Sequence, residues 1–183
     1  MNKILIGSIA GAAGIALLLG GAGTFALWNS AASIAGGTVA SGTLTIESDG
    51  APVWTDGAAG PAITTIADVQ IVPGDTLVLT QDVLINATGD NLQAILTFDD
   101  STITTDGSAD EDLKAALDIS LTATGAGVSP AAAQNEFSVT PSGSESTVTL
   151  TLTVALPSSV DGVDAQGGTV DLTDLGFTLT QVG

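Results

Sequence analysis

Carboxylates are the only side chains in this sequence dense enough to do chemistry. Asp99-Asp100 is followed closely by Asp106, Asp110, Glu111 and Asp112, and Asp161-Gly162-Val163-Asp164 makes a second acidic turn. Loop carboxylates of this kind bind hard cations, and calcium takes six to eight oxygen ligands. Asp99, Asp100, Asp106 and Asp110 are therefore the candidate calcium ligands. Their spacing does not meet the EF-hand pattern D-x-[DN]-x-[DN]-G, so solvated acidic loops are the plainer expectation. No other cofactor is implied.

Other reaction classes lack their residues. Histidine and cysteine are both absent. That removes the commonest general base, the commonest zinc ligand, the HExxH signature and any disulfide framework. No G-x-S-x-G occurs, and no Asp-Thr-Gly or Asp-Ser-Gly lies between apolar runs. A Ser/Lys mechanism would need Lys114, which falls on a predicted exposed helix beside three acids, where a solvated lysine is expected. An enzyme is not expected.

The charge balance narrows the partners. Of 183 residues only Lys3 and Lys114 are basic, against 20 acids. All the acids follow Ala26, so a chain cut there keeps one lysine against 20 acids, a net charge of −19. Such a surface repels nucleic acid and anionic membranes, so neither is an expected partner.

The elements that must carry these residues read as strands. Val148, Leu150, Leu152, Val154 and Leu156 alternate with Thr147, Thr149, Thr151 and Thr153, which means one buried and one wet face. Shorter runs cover Thr43–Ile46, Val53–Thr55, Ile63–Val72, Leu77–Ile85, Ala94–Phe98 and Ile119–Ala123. Asn86–Asn91 reads as a turn that makes Leu77–Ile85 and Ala94–Phe98 a hairpin. Val170 and Leu172 share one parity and Leu175, Phe177 and Leu179 the other, so a bulge near Asp174 is expected. Asp106–Leu117 is the one predicted helix, with Ser108 and Glu111 as a capping box. Eight or nine strands with one-sided burial make an all-β, antiparallel, two-sheet jelly-roll-like sandwich with one short helix. About 150 residues can bury roughly 70% of their unfolded surface as one domain.

Ahead of the strands lies a targeting segment. Lys3 precedes an apolar run from Ile4 to Leu19, and Thr24 and Ala26 are small enough for positions −3 and −1 of a peptidase site before Leu27. Ala32 and Ala35 are alternative cut sites, and an uncleaved anchor is the competing reading, because 4–26 is long enough to span a bilayer. The expected organisation is a hydrophobic signal helix over 1–26, a leader over 27–42 and a β-sandwich over 43–183. The membrane is met only through the signal segment before cleavage.

The junction Gly23-Thr24-Phe25-Ala26, then Leu27-Trp28-Asn29, then Ala40-Ser41-Gly42-Thr43-Leu44, resembles in order and spacing the signal junction of the TasA/camelysin family. That junction is processed by a SipW-type signal peptidase. Ile71-Val72-Pro73-Gly74-Asp75-Thr76-Leu77 and Phe177-Thr178-Leu179-Thr180-Gln181 resemble the family's strand-leading turn and closing strand, while residues 100–145 match only loosely. The resemblance implies a jelly-roll protein, secreted to the surface or extracellular matrix of Gram-positive bacteria. Camelysin-type members carry a metallopeptidase label, which the absence of histidine opposes here.

In fibre-forming relatives the mature N-terminal strand pairs into a groove of the next subunit. The resemblance thus implies that Leu27–Val39 is a donor strand anchored by Leu27, Trp28, Ile34 and Val39, with a disordered leader or an intramolecular strand as the plainer readings. The expected function is a secreted, self-assembling fibre or biofilm-matrix subunit. Its partners would be further copies or related matrix subunits. The alternative is a monomeric adhesion or binding module of the bacterial surface.

Overall fold

The computed structural model describes residues 37–161, 163 and 165–182. Ala40–Gly183 forms one compact unit; of the other unit, Met1–Val39, only Gly37, Thr38 and Val39 are described, and all three are exposed. The targeting segment and most of the leader therefore lie outside the described residues.

Nine antiparallel strands form two sheets: β1 (Leu44–Asp56), β2 (Ala62–Ile63), β3 (Thr76–Ala87), β4 (Gln93–Asp99), β5 (Asp118–Gly125), β6 (Val128–Pro130), β7 (Glu136–Val139), β8 (Ser146–Ala155) and β9 (Gly176–Val182). The five-stranded sheet runs β2-β1-β3-β8-β5 and the four-stranded sheet β6-β7-β4-β9. One α-helix, α1 (Ser108–Ala116), precedes β5. The expected all-β, two-sheet architecture with a single short helix holds among the described residues.

β8 organises the core because its alternation is the cleanest. It pairs β3 on one side and β5 on the other, and its inward residues Val148, Leu150, Leu152 and Val154 are at most 2% exposed. Leu79, Leu152 and Leu121 sit in register across the three strands. Ala94, Leu96 and Phe98 of β4 and Phe137 and Val139 of β7 close the same cluster from the other sheet. Phe98 faces Phe177 of β9 across the ladder, the ring centroids 5.5 Å apart at a 47° tilt, a favourable aromatic geometry.

β1 is one strand where the sequence suggested two. Asp49 pairs Asp82 and Val53 pairs Thr80, so Gly50, Ala51 and Pro52 bulge opposite Gln81. Pro52 has no N–H to lose to the ladder and Gly50 takes φ +85°, so the insertion strains neither. The buried Gln81 side chain turns into the gap and donates to the carbonyls of Asp49, Gly50 and Asp82. The turn before β3 forms as its sequence requires: Pro73 and Gly74 (φ +105°) occupy its centre and the Asp75 N–H donates to the Val72 carbonyl.

Four local expectations are corrected. Leu77–Ile85 and Ala94–Phe98 are not a hairpin, because β3 and β4 lie in different sheets. Facing each other, their apolar faces share one core, and the hairpin position beside β3 goes to β1. Thr88 holds β1 there: its N–H donates to the Thr43 carbonyl and its hydroxyl accepts from the Thr43 N–H. Of the run 63–72 only Ile63, the end of β2, is strand; Ile66, Val69 and Ile71 instead drape a loop over the core, with a 3-10 turn at Ile66–Asp68. Val170–Leu172 lies outside β9, bridging Thr104 through Asp171, so the parity change marks a loop and no bulge is needed. Finally, Ser108 is the first helical residue and Gly107 the cap, so no capping box forms.

Candidate interaction edge

The residues singled out for metal binding are mostly engaged in local structure. The Asp99 carboxylate accepts from the Ser101 hydroxyl (2.6 Å) and N–H (3.0 Å) and caps the 3-10 turn Asp100–Thr102. Those two bonds, with a smaller contribution from the Lys114 charge, hold its pKa below the usual carboxylate range. Asp110 accepts from the N–H groups of Asp106 (3.3 Å) and Thr169 (2.6 Å), tying the start of α1 to the loop before β9. Asp100 is exposed. Among the described residues no three acids gather as a metal-holding group, and Gly162 and Asp164 of the second acidic turn lie outside them.

Lys114 is not the solvated lysine the sequence suggested. It is half-buried, and its ammonium donates to the carbonyls of Ile103 (2.6 Å) and Asp100 (3.1 Å), closing the 3-10 turn against α1. Lys114→Met should lower stability by about 1–3 kcal/mol, since two carbonyls lose a charged donor. Urea unfolding followed by circular dichroism checks this.

Asp171 resembles Asp99: hydrogen bonds from Thr173, side chain first and then N–H, hold its pKa down. A carboxyl whose folded pKa is depressed adds stability above its unfolded value, near 3.9, and that stability is lost as pH falls through the folded value. Thermal stability should thus fall on acidification below about pH 4. The Asp99→Asn, Asp171→Asn double variant should show a shallower acid limb in melts across pH 2–6.

The feature that stands unpartnered is one side of the sandwich. β2 covers the outer edge of β1 only at Trp54 and Thr55; along Leu44–Asp49 no strand lies beside it among the described residues. β9 is paired by β4 on one side and, among the described residues, by no strand on the other. β1 and β9 lie against each other, so two runs of N–H and C=O groups that no strand pairs among the described residues border the same opening.

Two clefts mark that opening. One, about 200 Å³, is lined by Ile46, Glu47, Ser48, Val83, Leu175 and Phe177. The other, about 420 Å³, lies between the segment leading into β1 (Ser41, Gly42, Leu44) and Leu92 and Gln181. Ile46, Leu175, Phe177 and the buried Val83 line the first cleft together with the polar Ser48 and with Glu47, its one charge. Leu44, Ile46, Phe177 and Leu179 are half-buried against the core while Thr45, Thr178 and Thr180 face water. An extended peptide seated here would find backbone partners on both edges and apolar contact beneath.

The Ser41-Gly42-Thr43 step gains a physical reason. A Cβ on Gly42 would overlap the Thr88 carbonyl oxygen, so only glycine lets the chain pass this close to the β3–β4 connection. Of the donor-strand anchors, Val39 is 98% exposed, the most exposed of the large hydrophobic side chains described. Leu27, Trp28 and Ile34, with the cleavage-site residues Thr24 and Ala26 and the alternatives Ala32 and Ala35, lie outside the described residues. β7 and Asn135 are missing from the sequence-based expectations, although Phe137 and Val139 alternate with Ser138 and an asparagine just before them suits a left-handed turn. No protein-family model, no curated protein and no solved structure matches this chain.

Proposed function

We propose that the chain is a secreted structural subunit that self-associates by strand addition, the leader Leu27–Val39 of one copy seating between β1 and β9 of the next. The observation that carries this reading is the edge pair that no other strand covers among the described residues, with a cleft between. The leader suits it in length and shape. Thirteen residues extend to about 40 Å, ample for the six positions of Leu44–Asp49 and the seven of β9. As a strand the leader places Trp28, Ala32 and Ile34 on one face, with small residues between them that fit a narrow groove.

The finer fold reading is a jelly roll. β3 pairs β8 and, nested inside, β4 pairs β7, with the β6–β7 hairpin at the closed end. That nesting supports the jelly-roll reading, with β1 and β9 added at one side. In this reading residues 1–26 direct export and are removed by a SipW-type peptidase, and the partners are further copies or related matrix subunits. No catalytic residue and no cofactor are assigned; calcium at Asp99, Asp100, Asp106 and Asp110 is no part of the mechanism.

A peptide of residues 27–39, titrated into the chain from Ala40 onward, tests the reading. Saturable binding with amide shifts confined to Leu44–Asp49 and β9 is the expected result. Absence of binding, or shifts elsewhere, overturns it.

A further inference from the structure

We propose that Asn135 guards the opposite side of the sandwich, occupying the outer edge of β5 with its own side chain so that strands add only at β1 and β9. β5 ends the five-stranded sheet and lies against β6, which ends the other. Asn135 has φ +61°, alone among the described non-glycine residues in the left-handed region, which asparagine tolerates best. From there its carboxamide oxygen accepts from the Leu121 N–H at 2.7 Å and its nitrogen donates to the Ile119 carbonyl at 3.1 Å. A residue of a neighbouring strand would satisfy the same two groups with its own C=O and N–H. One side chain therefore stands where an incoming strand would begin to pair.

β6 is protected differently. It is three residues long and ends at Pro130, which has no N–H, and the next N–H, of Ala131, is spent on the Glu136 carbonyl. The contrast with the other side is sharp: β9 runs seven residues without proline or charge. The sandwich thus has one guarded and one open side. On the strand-addition reading above, this gives each subunit a single accepting side and makes the assembly an unbranched, head-to-tail chain. The guard itself does not depend on that reading.

The test uses the absence of cysteine, so that Thr122→Cys, exposed on β5, places the only thiol in the full chain. A short bis-maleimide then reports β5 edges that meet. Asn135→Gly is the variant of choice, because glycine keeps the positive φ and removes only the side chain. Added to Thr122→Cys, it should raise crosslinked dimer roughly fivefold, the factor expected when about one net hydrogen bond is released for pairing. Should the glycine variant lose its near-ultraviolet circular dichroism, Asn135→Ser, whose hydroxyl is too short to bridge both groups, serves the same comparison. Equal crosslinking with and without Asn135 in a folded chain overturns the proposal. Because the readout sits at β5, it stands whether or not the leader binds at β1 and β9.

Discussion

Removing residues 27–38 from the chain that begins at Leu27 should leave a folded monomer that no longer polymerises. Among the described residues, the core cluster and the apolar side chains packed on it run from Leu44 to Leu179, and every ladder begins at or after Leu44. The melting temperature should therefore move little. Assembly, by contrast, would lose the whole added strand. Even four net hydrogen bonds at about 1 kcal/mol each amount to a drop of roughly a thousandfold in association constant, before any contribution from Trp28 or Ile34. Sedimentation velocity on the two chains at equal concentration reads the difference. Unchanged sedimentation with unchanged fibres would place the association elsewhere.

The second large effect is on the fold itself. Leu152→Ala should destabilise the domain by about 3–5 kcal/mol, a large share of the roughly 5–15 kcal/mol typical of a native protein. Leu152 is 1% exposed and lies in register between Leu79 and Leu121, so neighbours on both sides are fixed by ladders and cannot collapse into the void. For a domain of this size that is a fall of roughly 10 °C or more in melting temperature. Val163→Ala, at a side chain 76% exposed, is the matched control and should change little.

Strand periodicity made β8, β3 and β4 legible because each buries one face continuously, and little besides a half-buried strand repeats every second residue. What periodicity does not encode is which sheet a strand joins. β3 and β4 are separated by a short turn-like stretch, yet the hydrogen bonds between Thr43 and Thr88 give the place beside β3 to β1. Runs such as 63–72 misled for the converse reason: apolar residues that roof a core from a loop need no strand period. Of the proposed pairing, the sequence suggests only a donor. The proposed accepting half is defined by ladders missing beside β1 and β9 among the described residues, and an unmade pairing leaves no mark on local sequence. The carboxylates are ambiguous in sequence for a different reason: Asp99 serves the nearby N–H of Ser101, while Asp110 serves that of Thr169, which only the folded chain brings near.

A chain carrying one lysine against 20 acids repels its copies, so association by backbone pairing has to overcome charge and should quicken as salt shortens the Debye length from about 30 Å at 0.01 M to 8 Å at 0.15 M. Electron microscopy of the purified chain from Leu27 onward, over a range of concentration at physiological salt, asks the central question most directly. Unbranched fibres that appear with rising concentration are the expected result. Isolated particles at every concentration, unaltered by salt or pH, would contradict the account.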